Sequence, residues 1–546
     1  MDKQFQGITR ERLTYRKRRM KFRFTFTLEE EWPKLAWIAE CVKSDSVIHV
    51  RHGAQVEAQE SWFCEAVWDG EFEAGHFDQT DLVFGSGGRL REERVVFVSS
   101  GSTVDRLQFL ELEFKVLISN SLPCLLAVSG IKVDHTYGRF QEFFQSIMKG
   151  IDSYEKRLPV LSGRLELTYF RNLVWDGRHL EEEDKPEFLR DFSSFSRYRG
   201  FLNASVAKIG DNMSAAARNH RYEMVGGLSS GYDSTTVAVV AHEAGMKQVF
   251  SFRAARGGQD DDGQVTAEHL GLDLTLFDRD GWRQQPFSEV PYFGAAALGG
   301  DTVLSAAQNS LRGRVFLSGF HGDKMWAKDT KALGSDIVRG DVSGLGFTEH
   351  RLALGCIHFP VPFVGVRQIR DVHALSNSPE LATWDVSGDY SRPICRRIVE
   401  EAGVPRECFG MSKKAITTHF GTGESMLSDE TQAKSHRWLL GKRNQWVTTA
   451  APRLGMPGRV LLAVRVRYDA VNRLLRKINY FLPGGARSWL DESDTQRQRC
   501  PYPRTSVVPH LFPWAVERMG HVYLSAKGPK EQCFGSASGT GQKSAS

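Results

Sequence analysis

The chain has no apolar run long enough to cross a bilayer, and its basic first residues lack the apolar core of a secretory signal. Neither a membrane span nor export is therefore expected. Its eight cysteines, Cys41, Cys64, Cys124, Cys356, Cys395, Cys408, Cys500 and Cys533, are scattered without CxxC spacing. That distribution indicates neither a zinc site nor a disulfide framework, and it suits a reducing cytoplasm. Charge of one sign is also scarce: a net +5 over 546 residues is no footprint for nucleic acid, which is not expected as a partner. A lysine-bearing phosphate loop is missing as well. Gly85-Ser86-Gly87-Gly88 has neither its spacing nor its lysine and reads as a hairpin turn. What is present, 41% hydrophobic residues, is enough for two or three domains with cores of their own.

Residues 1–19 carry a run of basic side chains from Arg10 to Arg19 and are expected to be a solvated, partly disordered lead-in. From Met20, Phe22, Phe24 and Phe26 alternate with basic or hydroxyl residues, the pattern of a half-buried strand. Residues 20–205 read as a strand-rich α+β domain, with β-prone runs at Val47 to Val50, Arg94 to Val98 and Phe114 to Ile118. Trp175-Asp176-Gly177 reads as a turn and Glu181 to Lys185 as a charged surface run. Phe188, Phe192, Phe195 and Tyr198 form the buried stripe of a helix packing two domains together.

Residues 206–525 read as an α/β domain, and the Gly/Ser/Lys-rich 526–546 as a disordered tail. Val249 to Phe252 and Leu272 to Phe277 are strand candidates flanking a helix over Gly263 to Leu270, with Val265, Ala267 and Leu270 inward. Such alternation implies parallel strands, with ligands at their carboxyl ends. Asp260, Asp261 and Asp262 read as a solvated loop capping that helix rather than as a metal cluster. Arg459 to Phe481 reads as a basic amphipathic helix packed on this domain.

The densest chemistry lies at Met224 to Ala244. An apolar strand ending at Leu228 runs into Ser229, Ser230 and Gly231, a turn of almost no bulk, and then into a helix opened by Asp233, Ser234, Thr235 and Thr236. Such a helix start presents unpaired backbone N–H groups and a positive dipole end, so it suits a phosphate or pyrophosphate. Asp233 beside an anion calls for a cation, and Mg²⁺ bridging phosphate oxygens supplies one. Leu228-Ser229-Ser230-Gly231-Tyr232-Asp233-Ser234 resembles the S-G-G-x-D-S loop of the ATP pyrophosphatases, and its flanks are similar to the synthetase domain of asparagine synthetase and β-lactam synthetase. Ser230 stands where that family has its second glycine, at a conformational cost wherever positive φ is needed.

A second stretch, Val315 to Ser318 followed by Gly319-Phe320-His321-Gly322-Asp323-Lys324, resembles the family's S-G-E-G-x-D-E segment. Phe320 and Lys324 replace its two glutamates. His321 offers a base in their place, and a structural imidazole is the plainer reading. His358-Phe359-Pro360-Val361-Pro362-Phe363 resembles the family's A-R-V-P-F turn.

The resemblance implies a parallel-sheet, adenine-nucleotide α-hydrolase-like (PP-loop) synthetase domain behind a glutaminase-like one, with ATP and Mg²⁺ as cofactors. It assigns Leu228, Ser229, Ser230, Gly231, Asp233, Ser234, Ser318 and Gly319 to the nucleotide and pyrophosphate, Ser251 and Phe252 to adenine, and Asp233 with Asp323 to Mg²⁺. Lys413, with Lys414 as runner-up, stands against the phosphates, where an ammonium stabilises the charge of departing pyrophosphate. The implied reaction activates a small-molecule or peptide carboxylate as an acyl-adenylate, which ammonia or an amine then attacks. The family's glutaminase uses a cysteine at the mature N-terminus. Asp2 follows Met1, and Lys21 follows the alternative start Met20, so no glutaminase activity is expected. An intramolecular cyclase of the β-lactam or lasso-peptide type, a non-catalytic ATP-binding scaffold and a thiolation or adenylation enzyme acting on RNA remain alternatives, and a homodimer stays open.

Overall fold

The computed structural model describes residues 21–328, 337–386, 390–411, 417, 427–450, 460–465, 469–479, 500, 502 and 507–524. The lead-in 1–19, Lys413, Lys414 and the tail 526–546 lie outside them.

The architecture is mixed α/β: two strand-rich sheets from the first part of the chain and a five-stranded parallel sheet from the second. One six-stranded sheet contains β1 (Arg23–Leu28), β2 (Trp37–Val42), β3 (Val47–His52), β8 (Leu107–Glu111), β9 (Lys115–Ser119) and β10 (Arg164–Thr168), in the order β1-β3-β2-β9-β8-β10. The other contains β4 (Glu57–Gln59), β5 (Trp62–Trp68), β6 (Val83–Arg91), β7 (Arg94–Val98), β11 (Asn172–Trp175) and β12 (Leu180–Glu183), in the order β12-β11-β7-β6-β5-β4. Alternation puts Phe22 and Phe24 inward, and these join Trp37, Phe63, Phe97 and Trp175 in an apolar layer shared by both sheets. The Trp37 ring lies edge-on to Phe63 at 5.0 Å. Each such fully buried ring contributes about 1.5–3 kcal/mol through the water it sheds.

Two readings of this region are corrected. Gly85 to Gly88 form no turn; they lie inside β6 and pair with β5. A Cβ on Gly85 would stand 2.0 Å from the Glu65 carbonyl oxygen and one on Gly87 2.2 Å from that of Phe63, so glycine is required by the close approach of β5. Glu181 to Lys185 is no surface run throughout, because Lys185 is buried and its Nζ donates to Ser99 O and Asn172 Oδ1, both at 2.7 Å. Trp175-Asp176-Gly177 is the expected turn, with Asp176 Oδ1 accepting from the amides of Arg178 and His179.

The sandwich carries α1 (Leu122–Ser129) and α2 (Phe140–Gln145), and α3 (Phe195–Ser214) leads out of it. The boundary at 205/206 falls inside α3, whose buried residues include Phe195 and Tyr198. Phe188 is left exposed. In the parallel sheet the order is β15-β14-β13-β16-β17, formed by β13 (Met224–Gly227), β14 (Gln248–Phe252), β15 (Asp273–Phe277), β16 (Val315–Ser318) and β17 (Ile357–Pro360). The crossovers include α4 (Tyr232–Glu243), α5 (Gln264–Leu270) and α6 (Val290–Ala296). On α5, Thr266, Ala267 and Leu270 face inward and Val265 is exposed, against expectation. Seven residues of helix give its inward arc room for three side chains, and Thr266 takes the place assigned to Val265.

The two parts share one continuous core. Phe84 of β6 meets Phe359 of β17 at 4.2 Å, and the helix Leu511–Leu524 packs on both α1 and α6. Buried charges cross the same boundary: Arg351 pairs with Glu65 at 2.8 Å and with Asp105 at 2.9 Å. Farther on, the stretch read as one packed basic helix contains the helix Asp469–Asn479, on which Leu474 and Ile478 are exposed rather than packed. No helix among the described residues is long and apolar enough to cross a membrane.

Candidate functional site

β13 and β16 are parallel neighbours in the register Met224↔Val315, Val225↔Phe316 and Gly226↔Leu317. Their carboxyl ends emerge side by side, so the two motifs that follow them meet. A cleft of about 230 Å³ opens there, and its walls include both Asp233 and Asp323. The approach is close because two glycines permit it. A Cβ on Gly322 would stand 2.5 Å from the Asp233 carboxyl, and one on Gly319 2.7 Å from the Asp233 Cβ.

The loop is held by its own hydroxyls. Ser229 Oγ lies 2.7 Å from Ser234 Oγ and accepts from Gly231 N at 3.1 Å. Thr235 Oγ1 donates to Gly231 O at 2.7 Å. Gly231 is the N-cap of α4, and Asp233 lies in that helix's first turn, where the dipole favours a negative group. Ser230 is absent from the residues with positive φ, so replacing glycine carries no backbone penalty at this position.

Of the expected nucleotide contacts, Leu228, Ser229, Gly231, Asp233 and Ser234 line the cleft, as do Phe252, Ser318 and Gly319. Ser230 is turned to Asp261, itself a lining residue: its N–H and its hydroxyl both donate to Asp261 Oδ1, at 3.0 and 2.6 Å. Ser251 is drawn away too, because its hydroxyl donates to Leu228 O at 2.6 Å. The Ser318 hydroxyl is engaged with His358 Nε2 at 2.8 Å. Lys413 and Lys414 lie outside the described residues. Gly410 N donates to Ser230 O at 2.8 Å, and Thr417 lines the cleft, so the described chain meets this site on either side of them.

Asp261 is the main correction to the acidic loop. Asp262 Oδ1 accepts from Gln264 N, the first residue of α5, at 3.0 Å, while the N-cap position itself is Gly263. Asp261 instead is buried against the Ser229–Gly231 turn, because its carboxylate satisfies donors of Ser230 that the turn leaves unpaired.

Arg392 was not singled out from sequence. It forms an ion pair with Asp233, and its guanidinium lies 5.3 Å from the Tyr390 ring. Burial pushes the Asp233 carboxyl above the usual carboxylate range, Arg392 opposes that rise, and Asp323 and Asp341 add to it. Nothing local marks Arg392, which precedes Pro393 at the start of the helix Pro393–Glu401; only tertiary folding brings it to the loop.

His321 is buried, has φ of +79° and stacks on Phe363 at 4.5 Å. Neither ring nitrogen has a hydrogen-bond partner among the described residues. Burial, reinforced by Arg339 and Lys324, holds its pKa down at about 3. Phe320, in the place of the family's glutamate, lies edge-on to His358 at 5.5 Å and closes the wall with hydrocarbon.

Among the described residues no group of three or more His, Cys, Asp or Glu side chains forms a metal site by itself. Two carboxylates beside a loop of N–H and hydroxyl donors do fit Mg²⁺, which takes few protein ligands and completes its shell with phosphate oxygens and water. Neither a protein-family model nor a curated protein matches this chain.

Proposed function

We propose that the chain is an ATP-dependent ligase of the asparagine synthetase type, which activates a carboxylate as its acyl-adenylate and passes it to ammonia or an amine. The observation that carries this reading is the delivery of Asp233 and Asp323 to one cleft from the ends of adjacent parallel strands. Asp233 and Asp323 would hold Mg²⁺, which neutralises phosphate charge when bound. Ser229, Gly231 and Ser234 would receive the pyrophosphate at the start of α4.

In the first step a substrate carboxylate oxygen bonds to the α-phosphorus, and the bond to the bridging oxygen breaks, its electron pair leaving on pyrophosphate. In the second an amine nitrogen bonds to the acyl carbon, AMP departs with the electron pair of the broken C–O bond, and the surplus amine proton goes to solvent. Positioning and charge stabilisation supply most of the acceleration in such transfers. The first part of the chain would supply no ammonia from glutamine by way of its described thiols. Cys41, Cys64 and Cys124 are all buried, and burial raises each above the ordinary thiol range, which disfavours a thiolate nucleophile.

Exchange of labelled pyrophosphate into ATP, run across a panel of carboxylic acids, tests the reading. The expected result is acid-dependent exchange with AMP as product, abolished by Asp323→Asn. Exchange that survives Asp323→Asn, or no AMP with any acid, refutes it. A non-catalytic nucleotide-binding scaffold is the second reading, favoured by Phe320, whose ring replaces an acidic group; tight ATP binding without AMP distinguishes it.

A further inference from the structure

α1 and the helix Leu511–Leu524 touch at one point and part beyond it. A Cβ on Gly520 would stand 3.4 Å from the Ala127 Cβ, so the helices are in contact there. At Gly130, where φ is +72°, α1 ends, and a Cβ on Gly130 would meet nothing within 4 Å. The seam left between them is a pocket of about 340 Å³ that shares no lining residue with the Asp233 cleft. Leu126, Ile131, Val133 and Val516 are among the residues that line it. Protein interiors ordinarily close such gaps between apolar side chains, and an open one of this size and lining has the character of a small-molecule site.

The charge around the seam is one-sided. Trp438 and Lys442 stand one turn apart on the helix Asp429–Ala450, hence on one face of it, and both line the pocket. Lys442 lies 5.0 Å from the centre of the Trp438 ring and 3.2 Å from Glu517, and Trp438 Nε1 donates to Glu517 Oε2 at 2.8 Å. Glu517 is the one acid among the described lining residues, and these two contacts engage its carboxylate. Lys132 adds a second, exposed ammonium that forms no ion pair among the described residues. Burial lowers the pKa of His135, another lining residue, and Lys442 and Lys132 lower it further against Asp134 and Glu517, so both lysine charges stand beside the pocket.

We propose that this seam binds an aliphatic monocarboxylate, its chain between α1 and the helix Leu511–Leu524 and its carboxylate at Lys132. Apolar walls disfavour a polyanion such as a nucleotide, whose charges would be buried there without partners, and the surplus ammonium favours an acid over an amine. The site is independent of the ligase reading and is tested without it.

Isothermal titration calorimetry of the full chain with hexanoate, octanoate and octylamine provides the test. Each buried methylene tightens binding about fourfold, so octanoate should bind about fifteenfold more tightly than hexanoate, and octylamine more weakly than octanoate. Val516→Phe, which narrows the seam, should weaken octanoate at least about tenfold. Lys132→Glu should weaken octanoate about fivefold and strengthen octylamine; Lys132 is exposed, so this variant keeps the test valid should Val516→Phe misfold. Octanoate should change the emission of Trp438, an effect absent in Trp438→Phe, and Mg·ATP should not displace it. Equal affinity for the two acids, octylamine binding as tightly as octanoate, or indifference to Lys132→Glu overturns the proposal. Displacement by Mg·ATP overturns it too, by placing the acid in the Asp233 cleft. The same holds if octanoate gives no heat; a concentration-dependent dimer lost in Leu524→Glu would then assign the seam, at whose edge Leu524 is 63% exposed, to a second copy of this chain.

Discussion

Asp261 and Ser230 are joined twice: one carboxylate oxygen receives both the backbone N–H and the hydroxyl of a residue in the loop that would hold pyrophosphate. An internal anion thus occupies donors that an incoming phosphate could use, and binding has to compete with it. A hydrogen bond to a charged acceptor contributes about 1.5–3 kcal/mol. Replacing the carboxylate by an amide should release part of that, and Asp261→Asn is expected to bind Mg·ATP about three- to tenfold more tightly by calorimetry. Weaker binding would mean that Asp261 orders the loop rather than competing for it.

Asp233 and Asp323 should separate when each is changed. Asp233 neutralises Arg392, which is buried, and removing one member of a buried pair leaves an uncompensated charge that costs about 3–5 kcal/mol. Asp233→Asn is therefore expected to lower the thermal midpoint by several degrees as well as to abolish AMP formation. Asp323 is half-buried, and Asp323→Asn is expected to lose turnover by at least about a hundredfold with little change in midpoint. Calorimetric melts beside a pyrophosphate-release assay check both.

The elements around the site were legible because their signals are local. Strand, small-residue turn and hydroxyl-rich helix start follow one another at β13, Ser229 to Gly231 and α4, and each is read within a few residues. Gly85 to Gly88 were misread for the opposite reason: their glycines answer to a neighbouring strand rather than to a turn, and a contact between distant segments leaves no local mark. The same holds for Asp261, whose partner is 31 residues away, and for Arg392, 159 residues from Asp233. His321 was visible as a candidate, but its left-handed backbone, and the lack of a hydrogen-bond partner for its nitrogens among the described residues, are properties of the folded chain.

Arg351 joins the two parts of the chain through Glu65 and Asp105, with all three side chains buried. Burial pushes the Glu65 carboxyl up and Arg351 opposes that rise. Arg351→Met would leave two acids facing one another without a cation, at a cost of about 3–5 kcal/mol. Arg351→Lys should recover little, since one ammonium cannot serve two carboxylates as the guanidinium fork does. Chemical denaturation of the three proteins checks the order, wild type above Arg351→Lys, and Arg351→Lys at or above Arg351→Met.

Lys185 gives the stability a definite pH dependence. Burial brings its pKa from 10.5 down to about 7; Asp81 and Asp78 act upward on it and Arg367 downward, while its two hydrogen-bond partners, Ser99 O and Asn172 Oδ1, are neutral. A base whose folded value lies below its unfolded value binds fewer protons when folded, so stability rises with pH between about 7 and 10.5 and the full penalty applies below 7. Lys185→Met removes the titration while leaving Ser99 O and Asn172 without their donor, a loss that does not vary with pH. The variant should therefore be most favourable relative to wild type near pH 6 and lose ground by several kcal/mol as pH rises past 9. Denaturation midpoints of the two proteins across that range check the sign, and parallel profiles would show that Lys185 does not titrate as its burial requires.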